Sequence, residues 1–178
     1  MTSASAWALP RRPLPVMASG RLGVMLLVGS LAVLFSCFIS AYLVLRMAAP
    51  MWPPAGAPAL RIGLSAVSTA VLLASAVIAF MGGQRRAFLG ATFLLGVLFL
   101  ALQGVEFQRL YARGLTLQTG AYGAVFYALV GCHGLHVLGG LVGYGIALGR
   151  PARADTARIY WTFVTAVWLV LFSILYIL

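Results

Sequence analysis

Five stretches of this chain are each long and apolar enough to cross a bilayer, and that pattern excludes almost every soluble architecture. Hydrocarbon about 30 Å thick is spanned by about 20 residues rising 1.5 Å each. The runs lie at about 22–45, 60–81, 87–107, 121–148 and 159–178. Each begins beside an arginine or a turn signal: Arg21, Arg61, Arg86, the Gln118-Thr119-Gly120 turn and Arg158. In lipid, every backbone N–H and C=O must be satisfied inside its own segment or in a closed barrel, so runs of this length read as helices. The expected fold is an all-α, polytopic bundle of five transmembrane helices. A single transmembrane domain covers 21–178, and residues 1–20 form a tail. With only 8% charged residues, against about 25% in a soluble domain, the chain could not cover its surface for water.

The links between runs are short, and their arginines set an expected orientation. AAPMWPPAGAP (48–58) is a proline-rich turn, GGQRR (82–86) a tight hairpin, and RLYARGLTLQTG (109–120) an amphipathic segment expected along the interface. GRPARADTAR (149–158) holds three arginines and the sole aspartate, Asp155. The tail and the second and fourth links carry eight arginines: Arg11, Arg12, Arg21, Arg85, Arg86, Arg150, Arg153 and Arg158. The opposite side carries four: Arg46, Arg61, Arg109 and Arg113. The positive-inside rule then puts the N-terminus in the cytoplasm and the C-terminus outside. Arg11-Arg12 is not read as an export signal, because the run that follows is too long for a cleaved segment.

A net charge of +10 raises the question of nucleic acid. These arginines flank apolar runs and form no stripe with interleaved aromatics, so anionic lipid headgroups account for them and no nucleic-acid partner is expected. Cys37 and Cys132 lie inside apolar runs, with no CxxCH and no CxxC pair. Neither a serine elbow, a phosphate loop nor paired carboxylates occur, so no catalytic residue is assigned.

The residues with chemistry to offer are therefore few. His133 and His136 stand mid-run, three apart and on one helix face; a neutral imidazole is stable at that depth if its N–H and lone pair find partners. Direct metal ligation is not expected, since no further His, Cys or Asp stands ready to complete a site. Gln103, Glu106 and Arg109 share spacing of three, which suggests an interfacial Glu106–Arg109 ion pair, or else a buried Glu106 carboxyl bonded to a histidine of the fourth helix. Gly139 and Gly143, four apart, suit close backbone approach, as does the small-residue run SAVSTAVLLASA (65–76). Trp52, Trp161 and Trp168 are read as facing lipid or the membrane interface.

FYALVGCHGLHVLGGLVG (126–143), above all its HGLHV core, resembles the signature of subunit III of haem-copper respiratory oxidases. FSCFISAYLVLR (35–46), LGVLFLALQGVEFQRL (95–110) and YWTFVTAVWLVLFSILYIL (160–178) are similar to further helices of that family, in the same order. The resemblance covers four of the five runs and fits the short bacterial members, which lack two leading helices. It implies a multi-pass protein of the bacterial cytoplasmic membrane that binds no cofactor itself. Haem and copper would reside in a partner subunit I, joined by subunit II, with phospholipid sheltered in a cleft and proton delivery supported. His133, His136 and Glu106 fall on family motif positions. Leu31 stands where the family usually has a glutamate, and Thr162 and Thr165 where it has histidine and aspartate, so roles tied to those groups do not transfer.

The resemblance implies a non-catalytic component of a proton-translocating cytochrome c or quinol oxidase in aerobic electron transport. One rival stays within the fold, an accessory protein of a nitric oxide reductase, which HGLHV disfavours. The other is a freestanding small transporter, which would show internal repeats or polar residues at mid-depth in several helices.

Overall fold

A computed structural model describes residues 17–58 and 60–178, so the expected tail over 1–16, with Arg11 and Arg12, lies outside the described residues. The described chain is helical: α1 (Met17–Ala48), α2 (Ile62–Gly82), α3 (Arg86–Ala112), α4 (Ala121–Gly149) and α5 (Ala154–Phe172). Five helices are long and apolar enough to cross a membrane among the described residues. Helix existence follows from hydropathy; helix ends follow from local chemistry, and several shift outward from the runs.

The α2–α3 hairpin is as tight as two glycines permit. Gly83 ends α2 at φ +56°, a left-handed conformation that L side chains avoid, and a Cβ at Gly82 would come 2.0 Å from the Cβ of Phe88. At the other end of α3, Arg109–Ala112 continue the helix, so the segment expected along the interface is mostly helix and the turn shrinks to 113–120. That turn is closed by side chains: Thr119 Oγ1 accepts from the Thr116 N–H at 2.6 Å, and the Tyr127 hydroxyl donates to the Leu115 carbonyl at 2.7 Å.

α5 begins well before its apolar run. Pro151 cannot continue α4 and opens a single 3₁₀ turn (Pro151–Arg153), after which Asp155 in the first helical turn pairs with Arg158. An acidic residue there complements the partial positive charge of the helix start. At the far end the helix widens into a π turn, Ser173–Ile177.

α5 is the axis of the bundle, touching α1, α2 and α4, while α3 packs on α2 and α4. Its inward stripe, Ala154, Ala157, Trp161, Val164, Thr165, Trp168 and Leu171, recurs at three- and four-residue intervals, as one face of a 3.6-residue helix must. α1 leans on this assembly through Leu31, Phe35 and Tyr42 and leaves most of its surface to the surroundings.

Candidate functional site

Trp161 and Trp168 stand two turns apart on α5 and both are buried, at 1% and 0% exposure, not turned to lipid or the interface as expected. The reason is hydrogen bonding. The Trp161 indole N–H donates to Ser75 Oγ at 3.0 Å, and the Trp168 N–H donates to Thr69 Oγ1 at 2.9 Å. Both acceptors belong to the small-residue face of α2. A buried indole needs an acceptor, and here a neighbouring helix supplies one hydroxyl for each. The Thr69 hydroxyl in turn donates to the Ser65 carbonyl at 2.7 Å, so it is satisfied twice.

Room for Trp161 comes from two glycines on different helices. A Cβ at Gly96 of α3 would lie 2.6 Å from the Trp161 ring, and one at Gly140 of α4 would lie 2.7 Å from it. The expected packing glycines sit beside this contact. Gly139 and Gly143 face α5 more loosely, with a Cβ meeting the Tyr160 hydroxyl at 3.3 Å and Ala157 at 3.8 Å. The four-residue spacing that singled them out missed Gly140, whose signal is a seven-residue step: His133, Gly140 and Ala147 are all buried on one face of α4.

His133 is held by rings. Its imidazole stacks on Trp168 with centroids 5.1 Å apart at 30°, and the edges of Phe99 and Phe35 approach at 6.1 and 6.3 Å. Neither ring nitrogen has a hydrogen-bond partner, contrary to the partners expected for it. His136, a turn on, is half-buried against α1. Its Nδ1 lies 2.7 Å from the Cys132 carbonyl and its ring meets Phe35 at 5.3 Å. The two histidines thus bracket Phe35 and do not converge on one point. Among the described residues, no three of His, Cys, Asp and Glu come together.

Glu106 and Arg109 form no ion pair. Glu106 belongs to the buried stripe of α3 with Phe99, Gln103 and Leu110, whereas Arg109 is exposed. Three residues along a helix leave about 60° between side chains, enough to turn Arg109 off the buried stripe. No histidine reaches the carboxyl either; its Oε1 has no partner. Gln103, one turn deeper, donates from Nε2 to Ser68 Oγ of α2 at 3.1 Å.

Trp52 is the one tryptophan of the three at an end of the bundle. Partly buried, it donates to the Tyr42 hydroxyl at 3.2 Å and packs edge-on against Tyr42 and Tyr122, so the proline-rich link is pinned to α1 and α4. Leu31 is buried apolar contact, Thr165 is buried with an unpartnered hydroxyl, and Thr162 points outward and donates to its own helix at the Arg158 carbonyl. At the opposite end from Trp52, an apolar groove of about 290 Å³ runs between α1, α4 and α5. Gly139, Gly143 and Tyr160 form part of its walls, and Arg153 and Thr156 stand at its polar end.

This arrangement is a packed scaffold with internal polar ties, and comparison with known proteins agrees. The family model described as cytochrome c oxidase subunit III matches residues 10–178. A probable cytochrome c oxidase subunit 3 of Nocardia farcinica is 36% identical over 175 positions, covering 86% of this chain and 85% of the relative. The cytochrome c oxidase subunit 3 of Synechocystis is 34% identical over 177 positions, covering 88% and 74%. That of Bacillus subtilis is 30% identical over 197 positions, covering 98% and 95%. The chain belongs to the cytochrome c oxidase subunit III family.

Proposed function

We propose that this chain is the scaffolding subunit of a membrane-bound haem-copper oxidase, docked on the subunits that carry haem and copper. The observation behind this reading is the use to which the polar residues are put. Ser75 and Thr69 accept from the tryptophans of α5, Gln103 donates to Ser68, and His133 is packed among rings. These groups hold helices together and leave no converging set with which to transfer electrons. The comparisons favour this reading over a nitric oxide reductase accessory protein or a transporter, since the relatives named above are all described as cytochrome c oxidase subunit 3.

The partner would be subunit I, with subunit II in the same complex, in the cytoplasmic membrane of a bacterium. The arginine distribution supports a cytoplasmic N-terminus. Phospholipid is a second partner. The groove at Gly139, Gly143 and Tyr160 suits an acyl chain, and Arg153 at its polar end suits an anionic headgroup. Proton delivery is the weakest part of the family role to carry over, because Leu31, Thr162 and Thr165 replace its polar groups.

The test is turnover of the oxidase from a strain lacking this chain, followed through time. Oxygen reduction that starts near the normal rate and decays faster supports a scaffold. Identical activity and lifetime would contradict it.

A further inference from the structure

Four buried side-chain oxygens on three helices have no hydrogen-bond partner and lie together: Ser65 Oγ of α2, Gln103 Oε1 and Glu106 Oε1 of α3, and the Tyr176 hydroxyl on the π turn after α5. All four residues are less than 10% exposed. Their convergence follows from contacts already described. Gln103 Nε2 donates to Ser68 Oγ at 3.1 Å, and Ser68 donates to the Ser65 carbonyl at 2.9 Å, which places one turn of α2 against one turn of α3. Because the amide nitrogen of Gln103 is used, its oxygen is the atom left over. Tyr176 lies beside both Ser65 and Glu106. The π turn that carries it, closed by Leu178 N–H donating to the Ser173 carbonyl at 3.0 Å, is a wider coil that changes the facing of its side chains.

We propose that Ser65, Gln103, Glu106 and Tyr176 bind a single Na⁺ ion. Every donor is an oxygen, the preference of a hard cation, and no thiolate or imidazole joins the set that a transition metal would favour. One carboxylate balances one positive charge. A divalent ion would leave net charge inside hydrocarbon, and an empty carboxylate would do the same, since no arginine pairs with Glu106. The three neutral oxygens complete a partial shell in place of water. Glu106 is six residues from the end of α3, so the site lies about 9 Å inside the bundle end that also carries the start of α2 and the end of α5. The ion would tie α2, α3 and α5 together at that end, as the two indole bonds tie α5 to α2 deeper in.

The full chain, purified from native membranes with the subunits that accompany it, is stripped of sodium in choline chloride and titrated with radiolabelled NaCl at constant ionic strength. The expected result is one saturably bound Na⁺ per chain and an unfolding midpoint that rises with Na⁺ but not with choline. Glu106→Gln removes both effects, and Tyr176→Phe raises the half-saturating concentration about tenfold, the weight of one lost ligand. Should Glu106→Gln fail to assemble, the wild-type titration and Tyr176→Phe decide alone. Absence of saturable binding overturns the proposal, as does a sodium-independent midpoint. So does a protonated-carboxyl infrared band at Glu106 that persists at saturating Na⁺, which would show a proton held there instead.

Discussion

The indole N–H of Trp161 donates to Ser75 Oγ at 3.0 Å, joining two helices 86 residues apart in sequence. The same ring lies where a Cβ on Gly96 or Gly140 would be. One side chain therefore touches four of the five helices' worth of structure: its own α5, α2 by hydrogen bond, and α3 and α4 by close backbone approach. In lipid, where burying apolar surface gives helices little reason to associate, such packing and hydrogen bonding carry the assembly. The account treats this contact as the keystone of the scaffold.

Trp161→Ala should be among the most damaging single changes. It leaves a cavity and an unpaired Ser75, and large-to-small changes of this kind cost about 3–5 kcal/mol. Trp161→Phe should cost less, keeping much of the ring and losing the hydrogen bond, about 0.6–1.7 kcal/mol in a membrane. Thermal unfolding of the purified complex, with loss of this subunit as the readout, ranks the two variants.

The glycines give a sharper contrast. Gly140→Ala forces a methyl to 2.7 Å from Trp161 and should destabilise by about 1–3 kcal/mol. Gly143→Ala meets only Ala157 at 3.8 Å and should be neutral or slightly stabilising, since alanine is the better helix former by about 1 kcal/mol. Recovery of assembled complex from cells expressing each variant compares them directly. Equal yields would show that Trp161 shifts freely and that the cradle is not tight.

His133→Phe should assemble and work nearly as well as the original, because the imidazole is held by Trp168, Phe99 and Phe35 and spends no hydrogen bond on them. The sequence alone suggested the opposite, damage through unpaired partners. Initial turnover and retention of the subunit after detergent washing check it. Loss of turnover in an intact complex would mean that the ring nitrogens matter after all.

Arg153→Leu should reduce co-purified anionic phospholipid without disturbing the bundle, since Arg153 is exposed at the polar end of the α1–α4–α5 groove. Lipid extraction and mass spectrometry of wild type and variant give the comparison.

The membrane bundle was legible because hydropathy is a local sum: eighteen neighbouring residues suffice to mark a span. The family was legible because HGLHV and its flanking helices occur together and in order. Side-chain facing was not. Trp161 and Trp168 lie near helix ends where tryptophan often meets headgroups, but their facing depends on Ser75 and Thr69, 86 and 99 residues earlier. The Glu106–Arg109 spacing suggested an ion pair, yet which of the two points inward depends on where α2 presents Ser65 and Ser68. Helix ends were missed where polar residues extend a helix past the apolar run, as Ala154–Arg158 do for α5.

The central claim is that this chain is an oxidase subunit supporting partners that hold the redox centres. It is tested most directly by affinity purification through the N-terminal tail from native membranes in mild detergent. The co-purifying chains are identified by mass spectrometry, and a reduced-minus-oxidised spectrum is taken on the same sample. The account predicts subunit I of a haem-copper oxidase with haem bands in the spectrum. A colourless preparation without a partner would contradict it.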